Sequence, residues 1–161
     1  MKRAVSISVL LLLVSLQACV SPYVQPEGPE VASLTIRNNA YSSVNVLGFK
    51  NAADCSGGKV GLLPNNVLPA AQEVTIKIKP DEPFSFLVNY NLFRGSQHTY
   101  CQLPATFVPR ARGWYTVLFS TNEFTCFMPM MVRTSSGEER ESSYKLRQFQ
   151  KAFLESDPFC K

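Results

Sequence analysis

The sequence predicts an all-β fold, an antiparallel sandwich of about seven strands, set behind a leader that takes no part in it. Apolar and polar residues alternate with period two over several consecutive runs, the pattern of strands with one face in a core and one in water. Turn-forming residues separate these runs, and no helical crossover lies between them, which favours antiparallel sheets.

The first strand is expected over 32–37, where Leu34 and Ile36 alternate with Ser33, Thr35 and Arg37. Asn38-Asn39 follows as a turn that tolerates left-handed backbone. A second strand is expected over 43–50. The stretch from Ala52 to Ala71 reads as one irregular insertion pinned by Cys55. Val74, Ile76 and Ile78 alternate with Thr75, Lys77 and Lys79 in a third strand, 72–79, whose lysines discourage edge-to-edge pairing. Pro80-Asp81 presets a reversal into a fourth strand, 84–92, with Phe84, Phe86, Val88 and Tyr90 on one face. Strands over 98–108, 114–120 and 124–133 complete the set, and Ser135-Ser136-Gly137 closes a turn after them. Between Glu139 and Leu154, helical spacing of Leu146, Phe149 and Phe153 favours a short C-terminal helix, while 143–149 also alternates as an eighth strand would.

The leader has its own signature. Lys2 and Arg3 precede an uncharged, mostly apolar run from Ala4 to Leu16, the n-region and h-region of a secretory signal peptide. That run is too short to cross a bilayer core, which takes about 20 residues. It ends in Leu16-Gln17-Ala18-Cys19, which resembles the lipobox of bacterial lipoproteins; Leu16, Ala18 and Cys19 fit, and Gln17 occupies a tolerant position. The resemblance implies cleavage after residue 18 and acylation of the Cys19 thiol. With Val20 rather than Asp next in line, it also implies transfer to the outer membrane. The expected organisation is a signal peptide over 1–18, lipidated Cys19 with a tether rich in proline (Pro22, Pro26, Pro29) to residue 30, and a β-sandwich domain over 31–161. An extended tether of that length would hold the domain roughly 35 Å off the bilayer.

A second resemblance covers about a dozen residues: Phe107-x-Pro109, then Gly113-Trp114-Tyr115-x-Val117, is similar to the entry of the aromatic central strand in transthyretin-like and immunoglobulin-like sandwiches. It implies architecture and no activity. The mature chain as a whole resembles small outer-membrane lipoproteins in form.

Without the leader, fourteen bases face twelve acids, a formal +2 for residues 19–161. Nucleic acid is not an expected partner, because phosphate neutralisation needs clustered Lys and Arg. The densest basic pair, Arg110 and Arg112, flanks Ala111 in an expected turn. Cys55, Cys101, Cys126 and Cys160 are an even set in an exported chain and are expected to form two disulfides. Three connectivities are open, and spacing does not choose among them. The expected pairs are Cys55 with Cys101 and Cys126 with Cys160, the latter stapling the terminus.

Residues that could carry chemistry are few. His98 is the single histidine, with Ser96 nearby but no Gly-x-Ser-x-Gly elbow around it. Ser56-Gly57-Gly58-Lys59 lacks a phosphate loop's first glycine, at Ala53, and its hydroxyl, at Val60. The acids Asp81, Glu82, Glu138, Glu139 and Glu141 fall in polar runs. Cys126, Met128, Met130 and Met131, with His98, form a soft donor set for Cu(I), but Cys126, Met128 and Met130 share a strand face and read as core. No catalytic residue, metal or cofactor is expected. The expected function is protein contact by a lipid-anchored envelope assembly or accessory factor, with Phe93, Arg94, Arg110 and Arg112 as exposed anchors. An inhibitor or adhesin-like module is the alternative reading, and an envelope enzyme or copper-binding protein the remote one.

Overall fold

The computed structural model describes residues 20–122, 125–154 and 156–161. The signal peptide, the lipobox and Cys19 lie outside the described residues, as does the start of the expected seventh strand. The fold is all-β, two mixed sheets packed face to face. The strands are β1 (Ser21–Pro22), β2 (Ala32–Asn38), β3 (Val44–Asn51), β4 (Ser56–Gly61), β5 (Val67–Leu68), β6 (Glu73–Ile78), β7 (Phe84–Arg94), β8 (Gln97–Phe107), β9 (Trp114–Thr121), β10 (Cys126–Phe127), β11 (Met130–Thr134), β12 (Gly137–Arg140) and β13 (Lys145–Leu146).

The first sheet runs β1-β4-β3-β7-β8-β13, with β5 also on β3; the second runs β12-β11-β9-β2-β6, with β10 also on β9. Alternation dictates the core between them. Val44 and Val46 of β3, Phe86, Val88 and Tyr90 of β7, and Ala105 and Phe107 of β8 face Leu34 and Ile36 of β2, Ile76 and Ile78 of β6, and Tyr115, Val117 and Phe119 of β9, all buried in one cluster. Met128 and Met130 belong to this cluster as gap-filling apolar side chains.

Several expectations need correction. The sandwich is not purely antiparallel: β2 pairs in parallel with β9, from Ser33 opposite Trp114 to Asn38 opposite Phe119, and β1 pairs in parallel with β4. Alternation reports which face is buried and says nothing of strand direction. The stretch over 52–71 is not wholly irregular, since it holds β4, a single 3₁₀ turn over Pro64–Asn66, and β5. No α-helix occurs among the described residues, so the expected C-terminal helix is absent. Lys145 and Leu146 extend the first sheet instead, and Phe153 is 96% exposed, so the helical spacing has no apolar surface to dock on. Asn38 is not a left-handed turn residue. It is fully buried, its amide donates to the carbonyls of Ser42, Leu68 and Pro69 at 3.0–3.1 Å, and its side-chain oxygen accepts the Ala40 N–H at 3.0 Å, which pins the corner where the chain crosses between sheets.

The disulfides are Cys55–Cys160 and Cys101–Cys126, with Cα separations of 5.5 and 6.4 Å, and not the expected pairs. The reason is geometric. Cys101 stands on the inner face of β8, where it packs on the main core and reaches Cys126 on the opposite sheet. Cys55 lies in a second, smaller cluster with Phe49, Leu87, Phe159 and Cys160 on the outer face of the first sheet. One sheet therefore stands between Cys55 and Cys101.

That outer cluster exists because the chain returns over its own sheet. Backbone bonds link Gln148 with Lys161, Gln150 with Phe159, and Phe159 and Cys160 with Cys55 and Asp54. The Phe159 ring then lies 5.9 Å from that of Phe49, with the Lys59 ammonium 3.9 Å from its centre.

The proline-rich stretch expected as a free tether is docked on the domain. Ser21 and Pro22 pair with Val60 and Gly61, and the Tyr23 N–H donates to the Gly61 carbonyl at 2.9 Å. The Tyr23 ring meets Phe84 edge-on at 5.9 Å, and the Gln25 side chain accepts the Lys77 N–H of edge strand β6 at 2.8 Å.

Candidate interaction surface

Strand order separates the sandwich into two ends. The β7–β8 hairpin turns at Gly95, whose φ of 59° a glycine adopts freely, and this marks one end, called here the tip. The β6–β7 and β8–β9 turns lie at the other end, the base, where the Asp81 N–H donates to the Pro109 carbonyl at 2.7 Å. Between them β8 runs for 11 residues, so tip and base are roughly 35 Å apart.

The expected contact residues divide between the two ends. Phe93 and Arg94 are at the tip, whereas Arg110 and Arg112 are at the base, and the structure does not bring the two pairs together. At the base, Arg112 is in the left-handed region with φ 57° and pairs with Glu30. The Arg110 N–H donates to the Tyr115 hydroxyl at 2.8 Å, a close approach in which a side chain at Gly113 would collide with the Tyr115 ring. Burial pushes the Tyr115 phenol above its ordinary pKa.

At the tip, period two places Phe93 opposite His98 on the outer face of the first sheet, and their rings stack at 4.0 Å and 4°. His98 donates from Nε2 to Asn91 Oδ1 at 2.7 Å, in the tautomer that this contact implies, and Tyr100 continues the row with its ring 6.1 Å from the imidazole. Phe93 is 68% and Tyr100 54% exposed. On the opposite face of the hairpin, the Arg94 guanidinium lies 4.5 Å from the centre of the Tyr41 ring, which is itself 71% exposed. The tip therefore presents aromatic rings on both sides of one hairpin, with an arginine held in place by one of them.

Below Arg94 the two sheets part around a cavity of about 300 Å³, walled by Tyr41, Tyr90, Leu92, Gln97 and Thr99 among others. The Tyr90 hydroxyl is buried with no hydrogen-bond partner. His98 is not on this cavity's wall, since it faces outward from the sheet.

The soft donor set does not converge. The Cys126 sulfur is in a disulfide, Met128 and Met130 are 1% and 2% exposed in the core, and His98 is on the outer face of the other sheet. Among the described residues no group of three or more His, Cys, Asp and Glu side chains is placed to hold a metal.

Sequence reasoning missed Tyr41, Tyr100 and Trp114 as exposed aromatics. For Trp114 the signal was present: it is out of phase with Tyr115, Val117 and Phe119, so it must face water, and it does so at 57% exposure with Arg133 5.9 Å from its ring. Tyr100 is likewise in phase with His98. Tyr41 lies in a turn, where periodicity carries no information.

No family model, curated protein or solved structure matches this chain.

Proposed function

We propose that the chain is a non-catalytic domain of the bacterial cell envelope, anchored to the outer membrane through acylated Cys19 and facing the periplasm, that works by contact between its tip and an envelope protein. The observation that carries this reading is the exposed row Phe93, His98 and Tyr100, backed by Arg94 on Tyr41, at the end of the sandwich opposite the one where Ser21 enters the first sheet. Binding energy at protein interfaces concentrates in such aromatic and arginine anchors. An aromatic pair of this kind is also worth about 0.5–1.5 kcal/mol beyond its buried area, so the tip is organised before a partner arrives.

The same protruding hairpin supports a second reading, an inhibitor or adhesin-like module directed at a foreign protein. A photo-crosslinking residue at position 93, in cells that make the full chain, separates the two. Capture of a resident envelope protein supports the first reading, capture only after foreign protein is added supports the second, and labelling equal to that from a crosslinker at exposed Ser142 argues against both.

A further inference from the structure

The base carries an apolar hollow whose wall includes Val60, the residue that Ser21 pairs with. It measures about 390 Å³ and is walled by Tyr23, Val24, Pro26, Phe49, Val60 and Phe84, with Lys50, Lys79 and Glu82 as its charged lining residues. Val24, on the wall of the hollow, is 85% exposed, and Val20 is 41% exposed. Val20 follows Cys19 directly, and Ser21 is already fixed by its pairing with Val60. Two residues span at most about 7 Å. A lipid on Cys19 thus leaves no room for a spacer between bilayer and domain.

We propose that this base face lies on the leaflet that carries the anchor, with Val20 and Val24 at the boundary between headgroups and acyl chains and the Lys50 ammonium group at the level of the lipid phosphates. The inference rests on acylation of Cys19 as proposed above, and it adds an orientation: the sandwich stands on its base, pressed to the surface, with the hairpin tip roughly 35 Å outward. Lysine suits such a lining because its long apolar stem lies along the hollow while its charge stays at the interface. Lys79 is paired with Glu82 at 2.5 Å, so Lys50 is the lysine of this lining that is assigned to the phosphates.

Depth-dependent quenching tests this on the full-length protein, expressed and purified from its native membrane. Trp114 is the single tryptophan, so Trp114→Phe combined with Val24→Trp, or with Phe93→Trp, places one reporter at the base or the tip. Each is reconstituted into vesicles of phosphatidylcholine and phosphatidylglycerol (3:1) brominated near the top of the chains. The base reporter should lose at least half its emission and the tip reporter under a tenth. Both residues replaced are exposed, and a far-ultraviolet circular dichroism spectrum identical to that of the unsubstituted protein establishes that each variant is folded. If intact mass shows acylated Cys19 and the two reporters are quenched alike or not at all, the orientation is wrong and the anchor stands. If intact mass shows an unmodified Cys19, the anchor reading falls and the orientation falls with it.

Discussion

The Phe93 and His98 side chains are directly cross-strand in the β7–β8 hairpin and lie ring on ring, 4.0 Å apart, both of them exposed. A stacked pair at a hairpin end is rigid, and rigidity lowers the ordering cost of binding. This gives His98 a role as a platform for Phe93, and replacing it should matter to the degree that the stack matters.

Phe93→Ala should weaken partner capture by about 2 kcal/mol, near thirtyfold, and Arg94→Ala by a similar amount. His98→Gln should cost less, within about tenfold, because stacking is lost while the Phe93 ring remains. Arg110→Ala with Arg112→Ala should change capture by less than twofold, because both residues sit at the other end of the sandwich. Quantitative pull-down or calorimetry with the crosslinked partner measures all four; a larger loss from the base pair than from Phe93 would move the contact surface to the base.

Non-reducing peptide mapping should recover Cys55 joined to Cys160 and Cys101 joined to Cys126. In the loop-closure description the first bridge, spanning 105 residues, contributes about 4.8 kcal/mol and the second, spanning 25, about 3.5. Cys55→Ser with Cys160→Ser should therefore lower the melting temperature more than Cys101→Ser with Cys126→Ser. Urea unfolding of the two double variants checks the order.

Asn38→Ala removes three donated bonds and one accepted bond from a fully buried corner. The stranded carbonyls of Leu68 and Pro69 make this more than the loss of a single bond, and a destabilisation of about 3 kcal/mol is expected. Chemical denaturation would contradict the corner's importance if the change were under about 1 kcal/mol.

Burial raises the phenol pKa of Tyr144 well above 10, and those of Tyr23 and Tyr115 also rise. The unfolded chain releases these protons near pH 10 while the fold still holds them, so stability is whole below pH 10 and falls as pH climbs from there toward the folded values. The Tyr144 hydroxyl donates to the Met128 carbonyl. Tyr144→Phe should thus cost about 1 kcal/mol at pH 7 and yet flatten the alkaline decline. Melting temperatures from pH 7 to 11 measure both effects, and an unchanged slope in the variant would remove Tyr144 from the account.

What could be read ahead of the structure follows from what period two encodes. It marks faces, so Phe84, Phe86, Val88 and Tyr90 were legible as a group, and so were β2, β6 and β9 with their buried sides. Direction, neighbours and sheet membership leave no trace in alternation, which is why the parallel partner of β2 and the true cysteine pairs were hidden. The cysteine pairs depend on which face of which sheet each cysteine meets. Short pieces such as β4 escaped because Gly57-Gly58 has no side chains to alternate, and the segment is a strand through its pairing with β3 and β1. In the candidate site, Phe93 and Arg94 were legible as exposed hairpin residues. Their separation from Arg110 and Arg112 was legible too and was missed: one strand, expected over 98–108, joins the two turns, and turns at the two ends of a strand lie at opposite ends of the sheet.

The place of β2 has a consequence for how the molecule comes into being. It is the first long strand, yet it sits between β6 and β9 with a partner on each side, and its parallel neighbour begins at Trp114, some eighty positions later. A chain emerging from its N-terminus leaves one backbone edge of β2 unpaired until β9 arrives, and non-local pairing of this kind makes for slow folding. During synthesis β2 is therefore the strand that waits longest for its second neighbour, which arrives only with Trp114 and Tyr115.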